Sequence, residues 1–322
     1  MKALAYERYG PPEVLAVRPL PTPRPGAGEV LVRVRAAGLN PKDVLVRKGK
    51  FKWLGAAPFP RICAYDFAGE VAELGSAVRG LRVGQAVYGM LNRWAAGAAA
   101  EWVTVPEGEL APMPLIPSDA EPRDPYVLAA AVPLAALTAL QALRDLLRVA
   151  PGQRVLINGA SGGVGTFAVQ IARIYGARVV TTSSAGNQAL CRELGAAEAL
   201  DYASTDPAQA GPFEGIFDVF GSLPFPRARV ALTPAGRYVT AIPTPRNVVR
   251  DLMTRALAQS ARLVVVRSRR RDLEVLTRWL VQGALRPVVD RVFALDDGAA
   301  AHAYIETKRA RGKVVLRIDD AP

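Results

Sequence analysis

The stretch GASGGVG, residues 159 to 165, holds the residues most plainly disposed to do chemistry. It follows the β-type run RVLIN and opens a segment in which Val164, Phe167, Ala168, Ile171 and Ile174 recur at three- and four-residue steps, the stripe of an amphipathic helix. A backbone stripped of side chains can turn tightly and approach a diphosphate, whose charge then rests on free amides at the helix N-terminus. Against the template G-x-G-x-x-G the fit is Ala160, Gly162 and Gly165, with alanine in place of the first glycine. The preceding strand, the following helix and a next strand from Arg178 to Thr182 all fall where that template requires them.

The same residues spell a second motif. Gly159, Ser161 and Gly163 read as G-x-S-x-G, the strand-to-helix elbow of serine hydrolases, and Asp290, Asp296 and then His302 supply acids and a base in the right chain order. Additional glycines beside the serine favour phosphate cradling, and His302 is the only histidine in the chain. A β-rich first third does not suit a hydrolase either. Dinucleotide binding is therefore the leading reading and serine hydrolysis the rival.

An NAD site places Asp or Glu at the end of the second strand to hold the ribose hydroxyls. This sequence has TTSSAGN there. With no carboxylate to repel a 2′-phosphate, and with Ser183, Ser184 and Asn187 able to donate hydrogen bonds, NADPH is the expected cofactor, although no arginine stands at that spot. Tyr202, after the third strand, is placed to close over the same phosphate.

Metal chemistry is limited by inventory. A catalytic zinc takes about three protein ligands, and the chain has two cysteines, Cys63 and Cys191, and one histidine. No metal is expected; the cysteines read as small buried apolar residues and His302 as a satisfied structural histidine. Tyr304 and Lys308 form a Tyr-x-x-x-Lys pair, but it falls after the nucleotide-binding unit, beside charged Glu306 and Arg309, and is discounted.

The elements that must position these groups fall into two styles. Residues 1 to 123 form short β-rich runs (GEVLVRVRAAG, FAGEVAELG, VGQAVYGM, AAEWVTVP) ending in a proline-dense stretch, an irregular β domain. Residues 124 to 267 alternate strand and helix, which implies parallel βαβ units in a doubly wound sheet of roughly six strands, the last at RLVVVR. Residues 268 to 322 hold a helix from Arg271 to Gln282, the stretch PVVDRVFAL, a helix near His302 and a last strand GKVVLRI. The expected fold class is thus α/β, a β domain plus a Rossmann-type domain.

Composition sets outer limits. In 322 residues, 50% are hydrophobic and 22% charged, ample for packed cores and inconsistent with disorder. The first residues, MKALAYERYG, lack a secretory signal's apolar core, so a cytoplasmic setting is expected. The uncharged run from Pro125 to Leu143 is alanine-rich and reads as a buried core helix rather than a membrane span. A net charge of +12 would draw polyanions, and an NADPH-responsive RNA or polyanion binder is a further alternative. Apart from one cluster, Arg267, Arg269, Arg270 and Arg271, the basic residues are scattered, so nucleic acid is not an expected partner.

Taken together, MKALAYERYGPPEVL, VRVRAAGLNPKDVLVRKG, DFAGEVAELG, PLAALTAL, INGASGGVGTFAVQIAR, LGAAEALDY and RGKVVLRI resemble the medium-chain dehydrogenase/reductases, specifically their zinc-independent quinone oxidoreductase group. The resemblance covers nearly the whole chain. It implies a GroES-like β-barrel built from the first part plus the C-terminal tail, a Rossmann domain, and commonly a homodimer. It also implies that Asn40 and Thr138 lie nearest nicotinamide and substrate, with Asp43 and Lys42 as neighbours. Gly221, Ile242 and Lys313 join Ala160, Ser161, Gly162, Gly163 and Val164 as cofactor contacts. One departure is CAYDFAG, with Ala64 and Tyr65 where many relatives have glycine before the aspartate. Without a Lewis acid, hydride delivery to a simple ketone leaves an alkoxide unsupported, whereas a quinone or an α,β-unsaturated carbonyl spreads the charge. Such small molecules are the expected substrates, with hydrogen-bond donors stabilising the oxyanion.

Overall fold

The computed structural model describes residues 1–52, 58–117 and 124–318. Strands β1 (Lys2–Tyr6), β2 (Ala16–Pro19) and β3 (Glu29–Leu39) come first, followed by helix α1 (Pro41–Arg47). Then come β4 (Arg61–Ile62), β5 (Asp66–Leu74), β6 (Ala86–Met90), β7 (Trp102–Pro106) and β8 (Leu110–Pro112). Helices α2 (Pro125–Ala130) and α3 (Pro133–Gln141) lead to β9 (Arg154–Asn158), α4 (Gly163–Ile174), β10 (Arg178–Ser183), α5 (Gln188–Glu193), β11 (Glu198–Asp201) and β12 (Phe213–Asp218). Next are α6 (Phe225–Ala228), β13 (Leu232–Thr240), α7 (Pro245–Thr254), β14 (Ser260–Leu263), α8 (Arg270–Val281), β15 (Val289–Ala294), α9 (Gly298–Glu306) and β16 (Lys313–Arg317).

The chain divides into two compact units, Met1–Leu134 with Arg267–Pro322, and Ala135–Val266. The expected boundary at residue 123 lies outside the described residues. Helix α2 stays with the first unit because its apolar face, Val127 to Ala130, packs on β3 and β5.

In the first unit the long β3 is the spine. It pairs antiparallel with β5, β7 and β16, in a seven-stranded sheet ordered β15-β16-β3-β5-β6-β8 with β7 also on β3. The register Val314↔Leu39 sets the start of β16 against the end of β3, so residues far apart in sequence meet at that corner. A smaller sheet is ordered β2-β1-β4. The proline-dense stretch still carries one short strand, β8, whose Pro112 stands opposite Val87 at the sheet edge, where a missing N–H is tolerated.

In the second unit six strands run parallel in the order β11-β10-β9-β12-β13-β14. With β9 counted first this is the doubly wound order 3-2-1-4-5-6, in which ligands bind at the carboxyl ends of the strands on either side of the switch, here β9 and β12. Strand β14 covers Ser260 to Leu263 rather than RLVVVR, because its partner β13 ends at Thr240, opposite Leu263, leaving Val265 71% exposed. The segment Pro125–Leu147 is long and apolar enough to cross a membrane by length and composition, but 94% of its apolar window is buried inside the protein.

Candidate active site

The turn predicted to cradle a diphosphate sits on the switch point of the parallel sheet. Its base is Asn158, the last residue of β9 and buried. The Asn158 Nδ2 donates to Asp218 Oδ1 at 2.7 Å and to Ser222 Oγ at 2.9 Å, while its Oδ1 accepts from the Thr182 hydroxyl. One amide therefore ties together the ends of β9, β10 and β12. Asp218 also accepts from the N–H of Gly221 (2.8 Å), the N–H of Leu223 (3.3 Å) and the Tyr238 hydroxyl (2.9 Å). Burial raises its carboxyl above the ordinary range, and these bonds oppose the rise.

Two glycines are required by this geometry. Gly159 adopts φ +86°, and a Cβ there would come within 2.9 Å of the Phe220 Cβ. At Gly165 a Cβ would lie 2.2 Å from the Gly159 carbonyl oxygen, so α4 and the turn pack backbone to backbone. At Gly162, by contrast, the nearest atom to a Cβ is the Gly159 oxygen at 3.8 Å, so the chain faces open space there. No side chain caps α4. Ser161, Gly162, Gly163 and Val164 are half-buried, whereas Ala160 is buried and donates its N–H to the Thr182 carbonyl at 3.1 Å.

The end of β10 lies against this turn. Asn187 Nδ2 donates to Ser161 Oγ at 3.1 Å, and Asn187 Oδ1 is buried with no hydrogen-bond partner among the described residues. Ser184 is half-buried beside it. Ser183 is buried, and its hydroxyl donates to the Ser184 carbonyl at 3.0 Å, so it turns inward. Tyr202 donates its backbone N–H to the Ser183 carbonyl at 3.2 Å and leaves its ring 63% exposed. Gly221, at φ +85°, abuts Ile242, whose Cγ1 would stand 2.9 Å from a Cβ. An uncapped helix start, an open Gly162 and an orphaned acceptor on Asn187 together fit a dinucleotide, with the diphosphate on the turn and a ribose hydroxyl on Asn187. Thr138, on α3 in the same unit, is buried.

The remaining predicted residues, Asn40, Asp43 and Lys313, gather in the first unit. Asn40 begins α1, and its N–H donates to Asp43 Oδ2 at 2.8 Å, which caps the helix start. Its side chain does more. Asn40 Nδ2 donates to Asp66 Oδ2 at 3.0 Å and its Oδ1 accepts from Lys313 Nζ, which also donates to Asp66 Oδ2 at 3.1 Å. Asp66 Oδ1 accepts from the Leu134 N–H at 2.8 Å. All four side chains are buried, Asp66 and Lys313 to 0% and 2% exposure. Burial pushes the Asp43 carboxyl up to about 7, against backbone N–H donors at Asn40 and Ala64 that favour its ionised form. Asp66 was not among the expected site residues. The available signal was a lone acid opening the otherwise apolar start of β5.

The CAYDFAG departure has a physical consequence. Ala64 adopts φ +64°, the region glycine enters freely, and its N–H donates to Asp43 Oδ1 at 3.0 Å. Next to it, Tyr65 is buried, donates its hydroxyl to the Trp94 carbonyl at 2.9 Å, and carries Lys42 Nζ over its ring at 3.6 Å from the centroid.

Several expectations are corrected. His302 is buried, but both ring nitrogens lack hydrogen-bond partners among the described residues, so it is not a satisfied structural histidine. The hydrolase triad is not assembled: His302 bonds neither a serine nor an acid, and Asp290 Oδ2 accepts from the Tyr304 hydroxyl at 2.6 Å. Burial, followed by the positive charge of Arg47, lowers the His302 pKa to about 3. In the arginine cluster, Arg270 pairs with Glu107 at 3.5 Å.

Two family models match the chain, the alcohol dehydrogenase GroES-like domain over residues 26–115 and a zinc-binding dehydrogenase domain over residues 194–316. The residues present do not fit a catalytic zinc. Among the described residues no three His, Cys, Asp or Glu side chains are grouped to hold a metal, and Cys63 and Cys191 are each buried. The chain is 31% identical to the chloroplastic quinone-oxidoreductase QR1 of Triphysaria versicolor, covering 98% of each protein. It is 33% identical to the chloroplastic NADPH-dependent alkenal/one oxidoreductase of Arabidopsis thaliana, covering 98% of this chain and 79% of the other. The structure of a quinone oxidoreductase from Coxiella burnetii superposes with a TM-score of 0.88 at 31% identity, covering 99% of each chain.

Proposed function

Because the chain belongs to the quinone oxidoreductase group of the medium-chain dehydrogenase/reductases, we propose that it is a zinc-free, NADPH-dependent reductase of quinones or α,β-unsaturated carbonyl compounds. The observation that carries the cofactor choice is the end of β10, where Ser184 and Asn187 stand beside the glycine turn, Ser183 turns inward instead of presenting its hydroxyl as expected, and no carboxylate is among the three. A 2′-phosphate there meets hydroxyl and amide groups rather than a negative charge. When bound, the dinucleotide supplies a hydride. The chain's own part is to hold its diphosphate on residues 160 to 164, to seat its ribose at Ser184 and Asn187, and to fix Gly221 and Ile242 along it. Asn40 and Thr138 are the residues assigned nearest the nicotinamide. Asn40 is held by Asp66 and Lys313, which leaves its amide little freedom to turn.

A conjugated acceptor suits a site without a metal, since its charge after hydride addition is delocalised and hydrogen-bond donors suffice to stabilise it. A homodimer belongs to the same reading: β14 is an edge strand, and α7 beside it exposes Val249, Leu252 and Met253 at 52, 60 and 73%. The test is twofold. Fluorescence titration should show NADPH binding at least about tenfold tighter than NADH, and a panel of quinones, enals and enones should reveal NADPH oxidation that survives dialysis against a chelator. Failure to turn over every compound, despite tight NADPH binding, overturns the catalytic reading.

A further inference from the structure

Away from the glycine turn, the second unit carries a cavity of about 320 Å³ lined by four arginines, Arg148, Arg237, Arg255 and Arg262, together with Asp145 and Ser260. Every lining residue belongs to that one unit. The walls come from the single π-helical turn Ala142–Leu147 after α3, from β13, from the stretch after α7 and from the start of β14. Arg237 stands opposite Ser260, the first residue of β14, and on its other side opposite Gly215 of β12. Gly215 lies three residues before Asp218, where β12 meets the glycine turn, so the cavity is set back from that turn by roughly 10 Å along the strands. It lies toward the amino ends of the strands, not at the carboxyl ends where the dinucleotide is expected.

The charges around this cavity are not balanced. Asp145 is taken by Arg144, whose Nε and Nη2 donate to its two carboxylate oxygens at 2.6 and 2.9 Å. Arg255 and Arg262 share a single carboxylate, Asp251, at 3.2 and 2.7 Å. Arg237 Nη1 donates to the Leu147 carbonyl oxygen at 3.2 Å, a neutral acceptor, and no carboxylate among the described residues pairs with it. The exposed Arg148 side chain makes no hydrogen bond or ion pair to any described residue. Its backbone holds φ +56°, a region where glycine is at ease and arginine is not. In an arginine-rich chain a solitary exposed guanidinium is ordinary. Four in one concavity repel one another, and a cleft lined by one sign of charge concentrates counter-ions.

We propose that this cavity is a binding site for a small molecule carrying two or three linked phosphoryl groups. Four guanidiniums against the one carboxylate of Asp251 leave three positive charges, which linked phosphoryl groups match and a single carboxylate does not. The planar fork of arginine pairs with phosphate oxygens two at a time. A volume near the small end of ligand sites, about 300–1,000 Å³, suits a compact anion. A nucleic-acid strand calls instead for a groove with aromatic platforms, and no aromatic ring is among the described lining residues. Leu146 and Leu257 add apolar surface for the organic part of a phosphate ester. The site goes beyond the reductase reading and does not depend on it.

The test is calorimetric titration of the full-length protein, saturated with NADPH so that the glycine turn is occupied. The probes are inorganic tripolyphosphate, orthophosphate and a nucleoside triphosphate, each without divalent cations. Tripolyphosphate is expected to bind one site per chain at least about tenfold tighter than orthophosphate, and more weakly as salt rises. Arg148→Gly removes the unpaired guanidinium and suits φ +56°, so that variant should be at least as stable as the wild type. Its affinity for tripolyphosphate should fall about tenfold, the worth of one charge-assisted hydrogen bond, and adding Arg237→Met should bring the loss to about 100-fold. Arg24→Ala, which removes an exposed arginine from the first unit, should change the affinity less than about twofold. Tighter binding of the nucleoside triphosphate than of tripolyphosphate identifies a phosphate ester as the ligand; equal or weaker binding identifies the phosphate chain alone. The absence of a saturable tripolyphosphate site, an affinity unchanged in Arg148→Gly, or equal weakening by Arg24→Ala overturns the proposal. So does tighter binding of an RNA oligonucleotide without terminal phosphates. A protein that binds no NADPH overturns the functional reading alone, and the comparison of wild type with Arg148→Gly still decides this one.

Discussion

The candidate groups of the two units, each within its own unit, are built from different materials. At the glycine turn of the second unit the working groups are backbone amides, and the side chains that matter are those that are missing, at Gly159, Gly162 and Gly165. In the first unit the backbone recedes, and the site is a buried cluster of charged and amide side chains, Asn40, Asp66 and Lys313. The first kind is impaired by added atoms, in its packing at Gly159 and Gly165 and in its binding at Gly162. The second tolerates no removed atoms, because each buried charge depends on the opposite charge and on the Asn40 amide between them.

The sharpest way to break this contrast is to remove one charge. Asp66→Ala strands the Lys313 ammonium at 2% exposure with only Asn40 as partner, and a loss of about 3–5 kcal/mol is expected in urea denaturation. Asp66→Leu combined with Lys313→Met should recover most of that stability, since replacing a whole buried pair by apolar groups is often neutral. If the double variant is as unstable as the single one, the cluster is held by something other than mutual charge compensation.

Adding a single methyl tests the other unit. Gly165→Ala places a Cβ 2.2 Å from the Gly159 oxygen and 2.7 Å from the Ala160 Cα, atoms of the backbone that cannot rotate away. A loss of about 3 kcal/mol is expected, together with NADPH binding weakened beyond about 100-fold, both readable by thermal melts with and without the dinucleotide. Gly162→Ala, with open space around it, should keep its stability and lose affinity alone. Equal destabilisation by the two substitutions would contradict the distinction drawn between a packed glycine and an exposed one.

The same contrast explains what could be seen in the sequence. The turn was legible because its residues are contiguous and its flanking strand and helix have opposite periodicities, so the motif and its setting fall within one short window. The parallel, doubly wound class of the sheet follows from the alternation of elements; the order of its strands does not. The first-unit cluster was not legible as a cluster: Asn40 and Lys313 meet only because β16 pairs with the end of β3, and no local pattern announces a pairing between residues 273 positions apart. Asn40, Asp43 and Lys313 follow from family resemblance, whereas Asp66, which bonds both Asn40 and Lys313, stands outside that set. His302 shows the converse failure. A satisfied structural histidine is the expectation, and the absence of partners among the described residues overturns it, because partners depend on how α9 packs beside α1.

That histidine gives a pH test of about 2 kcal/mol. Its pKa is lowered to about 3 in the folded protein, first by burial and then by Arg47, whereas the unfolded chain binds a proton near 6.5. A depressed folded value means the unfolded state carries more protons below pH 6.5, so the neutral imidazole's stability is fully present above that pH and declines as pH falls toward 3. The slope is about 1.4 kcal/mol per pH unit. Between pH 6.5 and 5 the wild type should therefore lose about 2 kcal/mol relative to His302→Leu, whose profile lacks this contribution. Parallel profiles for the two proteins would show that the imidazole finds a proton acceptor in the folded state.

The smallest expected effect concerns Ser161, where the two readings of the glycine turn diverge most. Its Oγ accepts from Asn187 Nδ2 at 3.1 Å, a half-buried bond whose loss in Ser161→Ala should cost about 0.5–1 kcal/mol and weaken NADPH two- to fivefold by freeing Asn187. NADH, which lacks the 2′-phosphate, should be affected as much if Asn187 serves the ribose hydroxyl and less if it serves the phosphate, so the ratio of the two effects assigns the partner of this amide. A nucleophilic serine would behave otherwise: Ser161→Ala would abolish activity outright, and a fluorophosphonate probe would label the wild-type protein at that residue. The expected outcome is no label, because Ser161 is bonded to an amide rather than to an imidazole.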